Sequence, residues 1–321
     1  SSRLFLNVLY ADPDSLGAQP SATQVVESDS LLIDWPAAAA RRLAALRAAY
    51  RQWQPALSGS GPHAAAFSAF TAAGGVRLLD HSRFEAISAF NCRQGGYCSW
   101  QEWPHALRNP RSAAVDSFAR DHADEVQFFL FAQWLASRGL DAAHQAARTA
   151  GMAIGLIGDL AVGTDAGGSH AWSLQDAMLQ GLSIGAPPDL LAGQGQNWGL
   201  TTFSPMALRQ QGFAPFIELL RANLRPVGGL RVDHILGLKR LWLTRHGASA
   251  ADGVYLNYPF DDLLRLIRLE AWRQCALMIG EDLGTVPEGL RQQLEDSGVL
   301  GMRVLWFERD HSLFVEPQRW S

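Results

Sequence analysis

Three short, almost wholly apolar segments of this chain each end in an acidic residue, and each follows a stretch with helical periodicity. The acids are Asp159, Asp233 and Glu281. Helices that alternate with short apolar strands predict parallel β/α architecture, because strands buried on both faces carry few polar side chains. A closed (β/α)8 TIM barrel directs the carboxyl ends of its strands at one centre, whereas an open doubly wound sheet spreads them. Any one of these acids could simply cap the next helix, but three in equivalent positions favour an α/β fold of the barrel type.

The region before the first strand predicts a long helical segment. A helix is expected to begin at Asp34, where Asp-Trp-Pro precedes an alanine-rich run. Apolar periodicity predicts further helices over residues 64–73, 78–91 and about 121–150. Residues 34–150 are therefore interpreted as a helical insertion within a catalytic barrel that takes up residues 1–321.

Two elements are predicted after the third acid. Thr285 and Glu288 have the spacing of a capping box, which predicts the start of a helix. The apolar run over residues 299–306 predicts a fourth strand of the same sheet.

Composition excludes several classes of protein. The 27 Lys and Arg against 31 Asp and Glu give a net charge of −4, which offers no electrostatic basis for binding nucleic acid or anionic lipid. No segment has the roughly 18 apolar residues of a membrane span, and no signal peptide is recognisable, so a cytoplasmic location is expected.

Cys92 and Cys98 lack the spacing of metal ligands and are expected to be ordinary thiols. The 11 Trp residues suit sugar faces, although most Trp in any protein lies in the core.

Several carboxylates at one centre suggest acid–base or nucleophilic chemistry on an uncharged substrate. The sequence has no calcium loop, zinc spacing or phosphate-binding glycine loop, so neither a metal nor a cofactor is expected. Glycoside chemistry needs two carboxyl groups in different protonation states. Arg231 lies on the same strand face as Asp233 and favours an ionised nucleophile, although a purely structural ion pair is an alternative. Glu281 follows an apolar run without a basic neighbour, which suits a protonated general acid.

Two of these segments resemble the nucleophile and acid/base segments of the α-amylase clan. Residues 229–234 read GLRVDH and residues 279–284 read IGEDLG. The chain more closely resembles the 4-α-glucanotransferases called amylomaltase or disproportionating enzyme, glycoside hydrolase family 77. The resemblance covers essentially the whole chain, in order, and its other matching segments are IGDLAVG (157–163), GAPPD (185–189), GQNWG (195–199), FFLFAQW (128–134), YPFDD (258–262) and GTVP (284–287).

The resemblance implies a role for each matching residue. Asp233 matches the nucleophile that forms a covalent glucosyl ester. Glu281 matches the acid/base that protonates the leaving oxygen and later deprotonates the acceptor hydroxyl. The other matches are expected to bind substrate: Asp159 and Arg231 support the −1 site, His234 lies beside the nucleophile, and Asp189, Gln196 and Trp198 belong to the loop that lines the glucan groove.

The implied activity is the transfer of an α-1,4-glucan segment to the 4-hydroxyl of glucose or another glucan, by a retaining double displacement. The expected partners are α-1,4-glucans and maltooligosaccharides, with no nucleic acid and no membrane, and the oligomeric state is not predicted. Two alternatives stay open: an α-amylase-clan glucan hydrolase, and an inactive glucan-binding fragment.

One part of the family pattern has no match in this chain. The family carries a third carboxylate in a His-Asp segment of the seventh barrel strand, whereas residues 310–312 read DHS, in the reverse order. No match is found for the family's first strand and its tyrosine loop either. We therefore expect an incomplete barrel fragment that lacks the first strand or strands and the seventh and eighth strands. The parent enzyme is expected to be active, and the activity of this chain alone stays open.

Overall fold

The structure is a computed structural model, and it describes residues 2–17, 32–93, 95, 99–190, 192–311 and 313–319. Its α-helices are α1 (Trp35–Leu57), α2 (Pro62–Arg93), α3 (His105–Arg108), α4 (Ala113–Asp121), α5 (Ala123–Thr149), α6 (Ser169–Ser173), α7 (Pro205–Gln210), α8 (Ala214–Leu224), α9 (Phe260–Gln274) and α10 (Leu290–Glu295). Its strands are β1 (Ile157–Leu160), β2 (Thr164–Asp165), β3 (Leu182–Ala186), β4 (Gln196–Thr201), β5 (Gly229–Val232), β6 (Arg240–Arg245), β7 (Val254–Asn257), β8 (Leu277–Gly280), β9 (Arg309–Asp310) and β10 (Leu313–Phe314).

Helices α1 to α5 form a helical layer that precedes the first strand. The Asp34 side chain accepts a hydrogen bond from the Ala37 amide at 3.0 Å and caps α1, as the sequence predicted. Gly75, with φ 52° and ψ −146°, interrupts α2 between the two helices predicted there. Fully buried side chains of α5, among them Phe128 and Phe131, pack against α1 and α2 and form the core of this layer.

Strands β1, β5 and β8 form the predicted parallel sheet. Their order is β1-β5-β8, and they pair in register, so that Asp159 lies beside Arg231 and Arg231 beside Ile279. The alternate side chains, such as Leu230 and Met278, are buried against α8, α9 and α10. The sheet therefore has one face covered by helices, and the fold belongs to the α/β class.

A second sheet was not predicted from the sequence. It is antiparallel, has the order β2-β4-β3-β6-β7, and inserts between β1 and β8 in the chain. Ile184, Leu241 and Leu243 are buried on one face of this sheet. Gly185 is required where β3 approaches β4, because a Cβ atom there would lie 1.9 Å from the Gln196 carbonyl oxygen.

Two predictions after β8 were wrong. Residues 299–306 form no regular strand: a single parallel bridge joins Leu300 to Ile279, and a 3₁₀ helix follows at Leu305–Phe307. The exposed Leu300 and Trp306 show that the apolar run is not buried on both faces. Helix α10 begins after Gly289 instead of at Thr285, so the capping-box spacing is not used.

Cys92 is disulfide-bonded, which corrects the expectation of an ordinary thiol at that position. The predicted thiol at Cys98 lies outside the described residues. Within the described ranges, no helix combines the length and the apolar character that crossing a membrane requires.

Candidate active site

The polar side chains of Asp159 and Arg231 project from the face of the parallel sheet that the helices leave uncovered. On β1 and β5, Asp159 and Arg231 alternate with the buried Leu160 and Leu230. Asp159 keeps 61% of its side chain exposed. The period of two that buries one set of residues therefore presents the polar set together on the opposite face.

Asp233 and Glu281 occupy equivalent positions directly after two adjacent strands. The Asp233 amide donates to the Leu160 carbonyl at 3.0 Å, and the Glu281 amide donates to the Val232 carbonyl at 3.0 Å. These bonds continue the parallel ladder by one residue beyond each strand. Both carboxyl groups are consequently held at the carboxyl edge of the sheet, one strand apart.

Arg231 joins the two aspartates. Its Nη1 lies 2.7 Å from Asp159 Oδ1 and 2.9 Å from Asp233 Oδ1, so one guanidinium nitrogen serves both carboxylates. The hydrogen bond to Asp159, followed by the interaction with Asp233, raises the pKa of Arg231 above its usual value. The result is a fixed positive charge between two negative ones. The sequence spacing predicted the pairing of Arg231 with Asp233 but not its pairing with Asp159.

Backbone amides hold the remaining carboxylate oxygens. Asp233 Oδ2 accepts from the Val162 amide at 3.3 Å. Glu281 Oε2 accepts from the His234 amide, and Oε1 accepts from the Leu283 amide, both at 2.9 Å. Glu281 was expected in an apolar setting, but its carboxyl group is surrounded by backbone donors. The preceding apolar run packs elsewhere, because alternate residues of a strand face opposite sides.

His234 connects the two carboxyl groups through an unusual backbone conformation. Its φ of 46° and ψ of 57° lie in the left-handed region, which few residues other than glycine adopt. This turn aims the His234 amide at Glu281 directly after Asp233 in the chain. Burial lowers the pKa of the His234 imidazole, while the charges of Glu281 and Asp233 act in the opposite direction. Backbone strain, such as the left-handed conformation of His234, concentrates at functional sites.

A groove begins at Glu281 and His234 and runs across the antiparallel sheet. Trp198 meets His234 edge to face, with ring centroids 5.3 Å apart, and the Trp198 indole donates to the Gln196 side-chain oxygen at 3.0 Å. Asp189 also lines the groove, where its carboxylate accepts from the Ala192 amide at 2.6 Å. The structure thus brings all eight sequence-predicted site residues into two adjoining groups, which are Asp159, Arg231 and Asp233 on the parallel sheet, and Asp189, Gln196, Trp198, His234 and Glu281 along the groove.

Sequence reasoning missed one supporting residue next to Glu281. Asp282 is 5% exposed, pairs with Arg291 at 2.7 Å and accepts from the Met302 amide at 3.0 Å. Burial alone would raise the pKa of Asp282, but the hydrogen bonds from Met302 and Arg291 outweigh it and lower the pKa. The sequence signal for this residue was the acidic pair Glu281-Asp282 at a strand end. Adjacent side chains of an extended segment point in opposite directions, so when Glu281 faces the site, Asp282 must lie on the other side.

The groove also contains three residues that the sequence analysis did not single out. Arg240 and Trp242 on β6 and Tyr255 on β7 line it together with Glu281 and Trp198. Strand β6 reads Arg-Leu-Trp-Leu-Thr, and this alternation is typical of a strand that is buried on one face. Within the described part of the chain, no group of three His, Cys, Asp or Glu side chains is arranged to hold a metal ion.

Comparison with known proteins gives a consistent result. A family model described as 4-alpha-glucanotransferase matches residues 1–321. A 4-alpha-glucanotransferase of Mycobacterium tuberculosis (strain H37Rv) is 36% identical over 322 residues, which cover 97% of this chain and 43% of the relative. A 4-alpha-glucanotransferase of Haemophilus influenzae is 41% identical over 220 residues, which cover 68% of this chain and 31% of the relative.

Solved structures with a similar fold are amylomaltases. Amylomaltase from Corynebacterium glutamicum superposes with a TM-score of 0.73 at 30% identity, covering 97% of this chain and 43% of that one. Amylomaltase from Streptococcus agalactiae in complex with acarbose gives a TM-score of 0.82 at 20% identity, covering 95% of this chain and 62% of that one. The chain therefore spans less than half the length of the two curated relatives described above.

Proposed function

The chain belongs to the 4-alpha-glucanotransferase family, and on that premise we propose that it carries the nucleophile and acid/base of an enzyme that transfers α-1,4-glucan segments. The acceptor is the 4-hydroxyl of glucose or of another glucan. The substrates are α-1,4-glucans and maltooligosaccharides, and the stereochemistry at the anomeric carbon is retained.

The placement of Asp233 and Glu281 after adjacent paired strands is the observation that carries this proposal. Neighbouring strands lie about 4.8 Å apart. Retaining glycosidases place their two carboxyl groups about 5 to 5.5 Å apart, whereas inverting enzymes need room for a water molecule between them. Two carboxylates at equivalent ends of β5 and β8 therefore support a double displacement through a covalent intermediate.

The first displacement breaks the glycosidic bond of the donor. Asp233 attacks the anomeric carbon, and Glu281 donates its proton to the leaving glycosidic oxygen, which departs as a free 4-hydroxyl. Arg231 holds Asp233 Oδ1 at 2.9 Å and fixes the direction of attack. Asp159, on the other side of Arg231, is placed to bind hydroxyls of the sugar that becomes esterified.

The second displacement transfers the glucosyl group. Glu281, now ionised, removes the proton of the acceptor 4-hydroxyl, whose oxygen attacks the anomeric carbon and releases Asp233. His234, Gln196, Trp198 and Asp189 line the groove on the Glu281 side, where they position an acceptor sugar. Positioning of a sugar hydroxyl beside Glu281 favours transfer over hydrolysis, because the oriented hydroxyl outcompetes bulk water.

We also propose that this site lies at the carboxyl end of a (β/α)8 barrel. β1, β5 and β8 are parallel, in register and preceded by helices, as neighbouring strands of a (β/α)8 barrel are. Their uncovered face carries Asp159 and the 47% exposed Ile157, which supports an inner barrel surface. Residues 34–150, with helices α1 to α5, would then be an insertion in the catalytic domain.

Product analysis with maltotriose as the sole substrate tests this function in the protein that contains the chain. We expect glucose together with maltopentaose and longer glucans, and no products from Asp233→Asn or Glu281→Gln. Glucose and maltose without any longer product would indicate a hydrolase instead. Wild-type rates in either variant would refute the assignment of the catalytic pair.

A further inference from the structure

The groove continues past Trp198 onto a hairpin of the antiparallel sheet, formed by β6 and β7. We propose that Arg240, Trp242 and Tyr255 on this hairpin form a sugar-binding subsite for the accepting or leaving glucan, beyond the sugar next to Glu281. This inference rests on the proposed function and names residues that determine which acceptors are used.

The sheet order places the two strands of the hairpin two and three strands away from β4. Across the sheet, Asn197 on β4 pairs with Gly185 on β3, Gly185 with Trp242 on β6, and Trp242 with Tyr255 on β7. Three strand spacings of about 4.8 Å give a path of about 14 Å from β4 to β7. Trp198, the residue after Asn197 on β4, contacts His234. The path therefore leads from a strand that touches the reaction centre to Tyr255, three strands away in the sheet.

The groove lies on the acceptor side of the reaction centre. Its lining includes the acid/base Glu281 and excludes the nucleophile Asp233 with its partners Asp159 and Arg231. The acid/base group exchanges its proton with the oxygen of the leaving or accepting glucan, whereas the nucleophile contacts the sugar that is transferred. A groove that contains only the acid/base therefore accommodates the leaving or accepting chain.

The indole of Trp242 is held rigidly. Its Nε1 donates to the Ala250 carbonyl at 2.9 Å, and its ring meets that of Tyr255 edge to face, with centroids 5.0 Å apart. Gly253 packs against the indole so closely that an added Cβ would lie 2.4 Å from Nε1. A fixed aromatic surface costs little conformational entropy when a sugar packs on it.

Arg240 and Tyr255 supply polar groups to the same surface. The Arg240 guanidinium carbon lies 4.1 Å from the centroid of the Tyr255 ring. Within the described ranges, neither the Arg240 guanidinium nor the Tyr255 hydroxyl has a hydrogen-bond partner or ion pair, so their donors are free to bind sugar hydroxyls. Tyr255 is 37% exposed, and the alternate residues Leu241 and Leu243 are buried. An aromatic surface edged by free donors suits an uncharged polyhydroxylated ligand.

The test compares a short acceptor with a longer one. α-Maltosyl fluoride serves as donor, because its leaving group occupies none of the acceptor subsites, and glucose or maltotriose serves as acceptor. Tyr255→Ala and Arg240→Ala should each raise KM for maltotriose about tenfold, as loss of a well-packed contact does, with a smaller change in kcat. KM for glucose should change less than twofold, because glucose does not reach the hairpin.

Matched variants separate binding from damage to the hairpin. Val254→Ala removes an exposed side chain next to Tyr255 that does not line the groove, and Arg245→Ala removes an exposed arginine at the other end of β6. Both variants should keep the wild-type ratio of the KM for maltotriose to the KM for glucose. If Arg240→Ala unfolds, Arg240→Gln gives the same comparison with a side chain of similar length.

The outcomes distinguish this inference from the proposed function. Wild-type transfer with an unchanged maltotriose KM in Tyr255→Ala and Arg240→Ala would refute the hairpin subsite and leave the function intact. Absence of transfer by the wild-type protein that contains the chain would refute the function, and NMR would then decide the inference. A maltotriose-dependent shift of the Trp242 indole proton, lost in Tyr255→Ala, would support the subsite, and no shift would overturn it.

Discussion

Replacing Gly185 by alanine tests whether the groove depends on the close approach of β3 and β4. A Cβ at position 185 would lie 1.9 Å from the Gln196 carbonyl oxygen. The oxygen belongs to the backbone and the position of a Cβ is set by the backbone, so no side-chain rotation can relieve the contact. Ordinary contact begins at 3.4 Å, so the strands must separate by about 1.5 Å. Gln196 and the adjoining Trp198 would move with β4.

The size of the effect follows from this displacement. Active-site groups need to be held within about 0.5 Å, and a misplacement of about 1 Å lowers the rate roughly 100-fold. Overpacking itself destabilises proteins by about 1 to 3 kcal/mol. We therefore expect Gly185→Ala to lower kcat/KM for maltotriose disproportionation about 100-fold, with a loss of about 1 to 3 kcal/mol in the free energy of unfolding.

The matched control is Gly193→Ala, in the loop between the same two strands. An added Cβ there meets no atom within 4 Å, so both activity and stability should stay near wild type. Transfer rates are measured by glucose release from maltotriose, and stability by urea unfolding. Wild-type transfer by Gly185→Ala, or an equal loss in Gly193→Ala, would refute this account of the groove.

Three further predictions concern charge, pH and acceptor binding. Arg231→Ala should lower kcat about 100- to 1,000-fold, because a preorganised charge beside the nucleophile is lost; a change confined to KM would contradict this role. Burial lowers the pKa of His81 and of His170 to about 3, so each stabilises the fold above pH 6.5 and loses that contribution as the pH falls. Urea unfolding at pH 5 should give about 2 kcal/mol less stability per histidine than at pH 7. Burial raises the pKa of Glu85 to about 6, so the protonation of Glu85 opposes part of this loss of stability below pH 6. A free energy of unfolding that does not change between pH 7 and pH 5 would contradict the lowered pKa values of His81 and His170. Trp198→Ala should lower the ratio of transfer to hydrolysis about tenfold, measured by chromatography of maltotriose products; an unchanged ratio would remove Trp198 from the acceptor site.

The carboxyl edge of the parallel sheet, where the candidate site lies, could be predicted because its signal is local. Each of Asp159, Asp233 and Glu281 follows a short apolar strand, and the Arg231 spacing fixes which side chains share a face. The pairing of β1, β5 and β8 then follows from the preference of helix-linked strands for parallel neighbours. The roles themselves came from the family resemblance, since strand ends alone do not specify chemistry.

The antiparallel sheet could not be predicted, because its strands are joined by contacts that the local sequence does not encode. β3 has only five residues and contains Gly185, a residue that weakens strands in isolation. Gly185 is needed because β3 approaches the Gln196 carbonyl group, and this contact exists only when β4 is paired with β3. Likewise, the apolar run over residues 299–306 satisfied a strand pattern but makes one bridge, at Leu300. Periodicity reports burial on average and does not specify the pairing partner.

The central claim is that Asp233 becomes esterified by the transferred sugar, and trapping that ester tests it most directly. In the Glu281→Gln variant, an activated donor such as α-maltosyl fluoride can still form the ester, because fluoride leaves without a proton. The general base that releases the ester is then missing, so the intermediate should accumulate. Peptide mass spectrometry should locate one maltosyl group on the Asp233 carboxylate. A maltosyl group on any other residue, or no adduct although fluoride is released, would contradict the account.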